Sequence, residues 1–357
     1  MNDTTADLLV LGGGIAGLTT ALAAAERGLS SVLLDSPRTG SASRAAAGML
    51  APSVEELPPH ILPLAIEARD FYPDFLATLR EGTGIDVALD RSGILQLVAA
   101  DQVAPPRLQR TSRVQRLDER ALADWEPAFR GHPGALLHSD DGAVDNVALM
   151  DALERAVELQ PRITKVSAEV LSIDVDQPSA LTGTRGRFSA SRIVLATGAW
   201  AGALHGLPRV LPVRPVRGQL IRLQSSSLRH VTYGAGGYLV PRGDTVLVGA
   251  TSEEAGFESE TSLHGLATLR GIASRFIPDL SRSLVVSHWA GLRPMSLDGH
   301  PILGTDPEFP TLVYACGYSR NGILFAPWAA ARLATLLAGE DSPALAPFGV
   351  DRATLSR

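Results

Sequence analysis

The sequence predicts an α/β protein in which a Rossmann-type dinucleotide-binding domain carries an inserted, mostly antiparallel β domain. A strand–turn–helix–strand pattern with a glycine-rich turn lies near the N-terminus. Apolar residues in 238–241 and 245–251, joined by a glycine turn, predict an antiparallel hairpin. Elements of nucleotide-binding type occur at both ends of the chain and in its middle, so we expect both domains to be discontinuous.

We expect residues 1–83, 140–207 and 285–357 to form the dinucleotide-binding domain, and residues 84–139 and 208–284 to form the substrate-binding domain. Periodicity predicts helices at 15–27, 61–80 and 147–159, and a last helix ending at Leu337. It predicts strands at 8–11, 31–34, 85–87, 93–98, 136–138, 168–174, 192–195, 213–222, 288–295 and 313–316. Residues 102–120 are expected to form surface helix and loop.

The N-terminal turn has the spacing G-x-G-x-x-G at Gly12, Gly14 and Gly17. The first glycine permits a tight turn, the second lets backbone approach a pyrophosphate, and the third lets the helix pack close to the strand. Backbone N–H groups at Ile15 and Ala16 can bind phosphate oxygens. A turn that binds nothing is the alternative, but the flanking strands and helix favour a dinucleotide site.

Asp35 ends the second apolar strand, at the distance from the glycines that dinucleotide binding requires. Its carboxylate can accept hydrogen bonds from a ribose diol, and its charge disfavours a 2′-phosphate. The small residues that follow predict a helix start capped by Ser41 or Ser43. Such a helix start can also donate N–H groups to a ligand.

Composition and charge exclude several classes of protein. Of 357 residues, 45% are hydrophobic, and the net charge of −6 disfavours nucleic acid or anionic lipid as a partner. The single cysteine, Cys316, cannot form an intrachain disulfide and fits a reducing cytoplasm. The apolar stretches 8–25 and 323–338 predict neither a signal sequence nor a membrane span, since acids precede the first and Pro327 interrupts the second. The eight histidines lack metal-ligand spacing, so no metal site is expected.

The segment S-R-A-A-A-G-M-L at residues 43–50 resembles a signature of the glycine oxidase branch of the D-amino-acid-oxidase-like flavoprotein family. In that family the segment runs beneath the flavin and its pyrophosphate. The resemblance implies a glutathione-reductase-like FAD-binding domain, and it implies FAD rather than NAD as the cofactor. We expect the FAD to be non-covalent, because Cys316 does not lie where the covalent cysteine of some relatives lies.

Later segments extend the resemblance over most of the chain. Val170 matches a backbone position beside the adenine, and the A-T-G turn at 196–198 matches a second FAD contact. The R-N-G-I-L segment at 320–324 matches the one that closes the site beneath the pyrimidine edge of the flavin, where a helix start would stabilise negative charge on the reduced ring. Motif and resemblance together imply a cofactor site made of Gly12, Gly14, Ile15, Ala16, Gly17, Asp35, Ser36, Ala42, Ser43, Ala47, Gly48, Met49, Val170, Thr197, Gly198, Trp200, Arg320, Asn321, Gly322, Ile323 and Leu324.

Arg293, Tyr238 and Arg320 are the candidate catalytic residues. An arginine on an apolar strand is costly without a partner, and its planar guanidinium suits a carboxylate. By resemblance, the arginine of the W-x-G-x-R-P segment, here Arg293, binds the substrate carboxylate. Tyr238 matches a tyrosine that lines the substrate cavity, and Arg320 is expected to contact flavin or substrate. A structural ion pair for Arg293 and a core position for Tyr238 are the alternatives.

Three further features have local interpretations. Asp145 or Asn146 would cap the helix 147–159. Arg217, in an R-G-Q strand, would form a structural salt bridge or contact the polar edge of the flavin, and we favour the salt bridge. The glycine-rich residues 234–237 indicate a roomier or more mobile cavity entrance than relatives have.

The resemblance implies oxidative deamination of a small amino acid or amine of the glycine, sarcosine or D-amino-acid type. Hydride would pass from the substrate Cα to the flavin, and the imine would hydrolyse to a 2-oxo acid and ammonia, with oxygen as acceptor and hydrogen peroxide as product. In that branch the imine of glycine feeds thiazole synthesis for thiamine. The alternatives are a dehydrogenase of the same fold, an oxidase for a larger amine in secondary metabolism, an NAD-dependent dehydrogenase and a non-catalytic flavoprotein. A homo-oligomer is compatible with each.

Overall fold

The computed structural model describes residues 6–55, 57–98 and 113–355. The α-helices in this part of the chain are α1 (Ile15–Glu26), α2 (Ala42–Ala45), α3 (Leu62–Asp70), α4 (Tyr72–Thr83), α5 (Glu119–Trp125), α6 (Asn146–Leu159), α7 (Leu263–Phe276) and α8 (Gly322–Leu337). The strands are β1 (Ala6–Leu11), β2 (Ser31–Asp35), β3 (Met49–Leu50), β4 (Leu89–Asp90), β5 (Ile94–Leu97), β6 (Val114–Asp118), β7 (Gly134–His138), β8 (Gly142–Val144), β9 (Ile163–Ser167), β10 (Val170–Asp174), β11 (Ser179–Thr182), β12 (Gly186–Leu195), β13 (Val213–Gln224), β14 (Val231–Gly234), β15 (Gly237–Arg242), β16 (Thr245–Gly249), β17 (Val285–Ser296), β18 (Ile302–Thr305) and β19 (Leu312–Cys316).

The first sheet is organised around β1, which pairs in parallel with β2 and with β12. Its strand order is β10-β11-β12-β1-β2-β9, and β19 pairs with β12 and carries β18. Residues 8–11 are at most 1% exposed, because helices cover a sheet that is buried on both faces. Helix α1 packs against α8, and the rings of Phe325 and Trp328 meet Phe348 edge to face behind them.

The second sheet has the order β17-β13-β16-β15-β14-β5-β7-β6, and its pairs are antiparallel except for β14 with β5. Helix α7 covers it, with Leu269 and Ile272 in the same apolar cluster as Ile221 and Val248. A small third sheet, β3-β8-β4, follows the small-residue segment. A mainly parallel sheet with an inserted antiparallel sheet confirms the predicted fold class.

The division of the chain into two domains stays a prediction. Strand β17 begins at the predicted boundary at residue 285 and was expected in the dinucleotide-binding domain, but it lies in the second sheet. β17 pairs along its length with β13, so Val285–Ser296 belongs to the second sheet. The segment that carries Arg293 is therefore built on the antiparallel sheet, and only the residues after it return to the first sheet through β18 and β19.

The predicted helix 61–80 is wrong in its continuity. The chain forms α3 and α4 with a break at Phe71, because Pro73 lacks the N–H that an unbroken helix would need and instead occupies the first turn of α4. The predicted strand 85–87 is also wrong, since pairing in this region begins at Leu89. The predicted strand 168–174 begins at Val170, after Ala168 donates its N–H to Asp35 O at 2.9 Å.

Val114–Asp118 differs from the predicted surface helix and loop, because it is an edge strand paired with β7, whereas Glu119 and Arg120 begin the exposed first turn of α5. Residues 102–112 of that prediction lie outside the described residues. No helix in the described part of the chain is both long and apolar enough to cross a membrane.

Helix capping resolves two alternatives. Asp145 caps α6, with its carboxylate accepting the N–H groups of Val147 at 3.0 Å and Ala148 at 3.1 Å. At α2, Ser41 is the N-cap residue but its side chain makes no capping hydrogen bond, and Ser43 lies inside the helix. The predicted serine cap is therefore wrong, and the Ser43 hydroxyl is directed to another helix.

Arg352 fixes the C-terminal segment to the loop that follows β17. Its Nε and Nη2 donate to the two carboxylate oxygens of Asp298 at 2.7 and 2.8 Å, and Thr354 donates to the same carboxylate. Both charged side chains are 11% exposed. Burial alone would raise the pKa of Asp298, but hydrogen bonds from Arg352 and then Thr354 outweigh burial and hold that pKa well below its usual range.

We expect Asp298→Asn to lower the free energy of unfolding by about 3 kcal/mol, because removing one partner of a nearly buried pair leaves the other charge uncompensated. Urea unfolding measures the change. Because the folded-state pKa is depressed, the stabilisation is complete above the ordinary carboxyl pKa of about 4 and is lost as pH falls toward the folded-state value. The difference between wild type and variant should therefore hold from about pH 8 to pH 5 and narrow below about pH 4.

Glu340→Gln is the matched control, because Glu340 pairs with Arg27 on the surface, where the two side chains are 61% and 40% exposed. That loss should stay below about 0.5 kcal/mol. Equal losses in the two variants would contradict the role of Asp298.

Candidate active site

A single cavity of about 1020 Å³ runs from the glycine turn after β1 to the face of the second sheet. It brings together residues that are far apart in sequence, including Gly12, Ser43, Thr197, Tyr238 and Arg293. Of the cofactor residues expected from sequence, Gly17 and Leu324 do not line it. The side chain of Leu324 is instead 1% exposed in the apolar core, so it does not reach the cavity, and a cofactor contact at Leu324 stays a prediction.

The glycine turn after β1 has the conformation expected where backbone closely approaches a pyrophosphate. Gly12 has a φ of +105°, a conformation that favours glycine, and donates its N–H to Leu34 O at 2.8 Å. A Cβ at Gly17 would overlap the carbonyl oxygen of Gly12. Gly17 therefore acts through helix–strand packing rather than as part of the cavity wall.

Asp35 is held in place by Gly13, at a position of the G-x-G-x-x-G motif that can be any residue. Its Oδ1 accepts the N–H of Gly13 at 2.8 Å, so the turn and the end of β2 hold one another. Ser43 makes a comparable contact, because its Oγ accepts the N–H of Ile15 at 3.0 Å at the start of α1. Both polar groups lie in the cavity wall where ribose and phosphate binding were expected.

Two helix N-termini open into this cavity without a capping bond from their own N-cap residues, although Ser43 Oγ accepts the Ile15 N–H at the start of α1. The N-cap residues are Gly14 for α1 and Asn321 for α8, and neither makes a capping side-chain hydrogen bond. In addition, the buried hydroxyl oxygen of Thr197 has no hydrogen-bond partner. Two helix starts and an unpartnered hydroxyl in one cavity fit a ligand with phosphate and polar ring groups, as FAD has.

The outer end of the cavity is formed by aromatic and basic side chains. Trp200 stacks on Phe257 with ring centroids 5.9 Å apart, and the guanidinium of Arg38 lies 5.1 Å from the Trp200 ring centroid. Val170, expected beside the adenine, begins β10 in the same part of the wall. Phe257, which comes from the loop after β16, supports Trp200 without lining the cavity, and it was not identified from sequence.

Arg293 projects from β17 across its neighbour β13. Its Nη1 donates to the carbonyl oxygen of Thr251 at 3.0 Å, and no carboxylate of the described residues lies within ion-pair distance of it. Burial lowers the pKa of Arg293, and the neighbouring Tyr238 opposes that shift. The structural ion pair that sequence left open is therefore absent from the described part of the chain.

Gly218 on β13 makes room for this arginine. A Cβ at Gly218 would overlap the guanidinium of Arg293. The R-G-Q sequence carried this signal, but the facing strand could not be identified without the fold. The arginine of that motif, Arg217, pairs with Glu253 at 2.6 Å, which confirms its structural role.

Tyr238 lies on β15 with its ring over Gly249 of the paired strand, where a Cβ would overlap the ring. Burial raises the pKa of Tyr238 to about 12, so the phenol keeps its proton across the physiological range. The preceding Gly234, Ala235, Gly236 and Gly237 line the cavity too, and Ala235 and Gly236 are exposed.

Arg320 pairs with a carboxylate that sequence reasoning missed. Its Nη2 lies 3.3 Å from Oε2 of Glu55, whose side chain is 11% exposed against 53% for Arg320. Burial raises the pKa of Glu55, and the charges of Arg320 and Arg293 oppose that shift. An acid directly after the small-residue segment was the only sequence signal.

The small-residue segment is held by side chains from three other elements. Asn146, the first residue of α6, donates from Nδ2 to the carbonyl oxygens of Ser43 at 3.0 Å and Arg44 at 3.2 Å. Trp289 Nε1 donates to Ala45 O at 3.0 Å, and Arg242 Nη2 donates to Ala47 O at 3.0 Å. Asn146, Trp289 and Arg242 were not identified from sequence as supports of this segment.

Comparison with known proteins agrees with this geometry. Residues 7–336 match the family DAO, described as FAD dependent oxidoreductase. The chain is 33% identical over 366 residues to the glycine oxidase of Geobacillus kaustophilus, covering 97% of each chain. The crystal structure of glycine oxidase from Geobacillus kaustophilus matches with a TM-score of 0.87 at 31% identity, over 98% of this chain and 99% of that one.

A second type of relative is longer. The chain is 35% identical over 367 residues to the bifunctional protein ThiO/ThiG of Synechocystis sp., covering 98% of this chain and 54% of that protein. The chain thus spans about half the length of that relative. Since the family match covers most of the chain, the protein belongs to the DAO family of FAD-dependent oxidoreductases.

Proposed function

We propose that this protein is an FAD-dependent oxidase that deaminates a small amino acid or amine of the glycine, sarcosine or D-amino-acid type. The observation that carries the proposal is the Arg293 guanidinium, which lies in the same cavity as the N-termini of α1 and α8 and pairs with no carboxylate of the described residues. A guanidinium of this kind suits a substrate carboxylate. The named glycine oxidases among the relatives support this substrate class.

Arg293 binds the substrate carboxylate through its planar guanidinium, and Tyr238 can donate its phenol proton to the same group. Holding the substrate in one orientation contributes to rate because the reacting atoms no longer have to find each other. FAD, when bound, supplies the two-electron acceptor for hydride from the substrate Cα. Water then hydrolyses the imine product to a 2-oxo acid and ammonia.

The cofactor is proposed to be non-covalent. Cys316 is buried, and burial raises the pKa of its thiol to about 12, which disfavours the reactive thiolate. Arg320, Asn321 and Gly322 at the start of α8, with residues 42–49, would hold the flavin end. The Gly12–Ala16 turn would hold the pyrophosphate.

Oxygen is the proposed electron acceptor, and thiazole synthesis for thiamine is the proposed use of a glycine-derived imine. A ThiO/ThiG relative supports that use, although the chain spans only about half of it. A same-fold dehydrogenase is the second candidate, and an oxidase for a larger amine is favoured by the exposed glycine-rich entrance at 234–237.

An anaerobic screen tests the proposal. The purified protein with bound FAD is mixed with glycine, sarcosine and D-amino acids, and loss of the visible flavin absorbance is followed. Reduction by at least one of them is expected, and rapid reoxidation by oxygen in a stopped-flow instrument then identifies an oxidase. If none reduces the flavin, the proposed function is wrong.

Arg293→Ala should raise the KM for carboxylate substrates about 100-fold, because it removes a charge-assisted contact that contributes about 2–3 kcal/mol. FAD should stay bound, as measured by absorbance after gel filtration. Arg27→Ala is the control, since Arg27 lies on the surface and pairs with Glu340. An unchanged KM in Arg293→Ala would remove this residue from substrate binding.

Gly218→Ala should reproduce much of the rise in KM expected for Arg293→Ala, without removing any charged group. The new methyl group would overlap the Arg293 guanidinium and displace it, so we expect KM to rise about 10- to 100-fold, a cost of roughly 1.4–2.7 kcal/mol in binding, with FAD retained. Steady-state kinetics provides the measurement. Gly82→Ala is the matched control, because a Cβ at Gly82, in α4, meets nothing within 4 Å. Equal kinetics of the two alanine variants would contradict the proposed packing of Arg293 on Gly218.

A further inference from the structure

Glu55 is an acid at the substrate end of the cavity. The other acids of the described lining lie at the nucleotide end, where Asp35 accepts from Gly13, and Glu154 and Glu169 pair with Arg44 and Arg38. Glu55 instead pairs with Arg320, and its charge acts to raise the pKa of Arg293 and of Tyr238, which line the same cavity. None of the reaction steps described above uses it.

The turn that carries Glu55 is fixed from behind. Asp141, which is fully buried, accepts the N–H groups of Ser53 at 2.9 Å and Val54 at 3.1 Å. Asp141 is itself bound by Nη1 of Arg69 at 3.0 Å. The Glu55 N–H also bonds to Ala51 O at 3.2 Å. The carboxylate of Glu55 is therefore presented to the cavity by an ordered turn.

Glu55 and Arg293 carry opposite charges on the same cavity but do not pair with each other. Among the described residues, the ion-pair partner of Glu55 is Arg320, and Arg293 has none within 4.0 Å. Both side chains nevertheless line the same end of the cavity, and each shifts the pKa of the other through its charge. A zwitterion, with an ammonium group and a carboxylate on the same carbon, matches both charges at once.

We propose that Glu55 binds the ammonium group of the substrate and takes one proton from it, so that the site selects small α-amino acids over α-hydroxy acids. The inference rests on the proposed function and concerns the same site. In the step, an N–H bond of the ammonium breaks and an O–H bond forms on Glu55, while the electron pair stays on nitrogen. The neutral amine can then assist departure of hydride from Cα.

The surroundings of Glu55 suit this proton transfer. Burial raises the pKa of its carboxyl, which favours acceptance of a proton. The groups that face it are Arg320 and Asn321 at the start of α8, Arg293 on β17 and Tyr238 on β15. The two arginines stay charged and Tyr238 stays protonated near neutral pH. Arg320 is 53% exposed, so solvent stabilises its charge when Glu55 becomes neutral.

The test compares glycine with glycolate, which replaces the ammonium group by a neutral hydroxyl. For the FAD-loaded Glu55→Gln variant, the glycolate Kd is read from the change in visible flavin absorbance, and the apparent glycine Kd is read from anaerobic flavin reduction. At pH 7.5 we expect glycine to bind about 30- to 100-fold more weakly than to wild type, as for loss of a charged hydrogen bond. Glycolate should bind at least as tightly as before.

A pH series separates proton transfer from a structural effect. Above the pKa of the glycine amine, the substrate arrives neutral and needs no proton acceptor, so the deficit of Glu55→Gln should shrink to about threefold or less. Glu55→Asp, which keeps the carboxylate, should keep the ratio of glycine to glycolate affinity within about tenfold of wild type. Glu67→Gln is the matched control, because Glu67 pairs with Arg332 outside the cavity.

The outcomes distinguish the two claims. If wild type is reduced by glycine but Glu55→Gln keeps the wild-type affinity ratio and pH profile, the role of Glu55 is wrong and the proposed function stands. If Glu55→Gln does not fold, the folded Glu55→Asp variant provides the test. The inference is overturned if the ratio of glycine to glycolate affinity in that variant differs from wild type by more than about tenfold and does not recover at high pH. If no amino acid reduces wild type, both claims fall.

Discussion

The structure depends on hydrogen bonds through which long side chains hold the backbone of residues 43–47. This segment consists mainly of alanine, so it has few side-chain contacts of its own. Asn146, Trp289 and Arg242 bond to four of its carbonyl oxygens from three different elements. The small side chains leave the opposite side of the segment open to a flat ligand. Because such side chains make few packing contacts, the hydrogen bonds to its carbonyl oxygens hold the backbone in place.

One of these supports also sets the position of Arg293, the residue proposed to bind the substrate carboxylate. Trp289, Gly291 and Arg293 alternate along β17 and therefore share one face of the strand. Trp289 bonds to Ala45, and a Cβ at Gly291 would overlap the Cβ of Ala45 or displace it. The strand that carries Arg293 is thus pressed against the segment expected beneath the flavin. One strand therefore sets the distance between the Arg293 guanidinium and the segment proposed to lie beneath the flavin.

Sequence predicted the parts of the site whose signal is local. The glycine turn, Asp35 and the A-T-G turn each sit within one strand–turn unit, where spacing alone fixes geometry. Arg293 was singled out because an arginine in an apolar strand needs a partner, and its predicted role came from the resemblance of the W-x-G-x-R-P segment. Glu55 was not, because its contact with Arg320 joins residues 265 positions apart. Gly218 was missed for the same reason, since its role depends on which strand lies beside it. The break before Pro73 was a local signal that apolar periodicity hid.

The charges at the substrate end explain why this arrangement is retained despite its cost. A guanidinium buried without a carboxylate destabilises the protein, and the lowered pKa of Arg293 reflects that cost. Pairing Arg293 with Glu55 would remove the cost, yet the ordered turn under Asp141 holds Glu55 toward Arg320 instead. The two side chains therefore do not form an ion pair with each other, and their charges interact only at longer range. In the proposed complex, the substrate carboxylate would neutralise Arg293 and its ammonium group would interact with Glu55, so the charges that the protein leaves unpaired would contribute to the free energy of substrate binding.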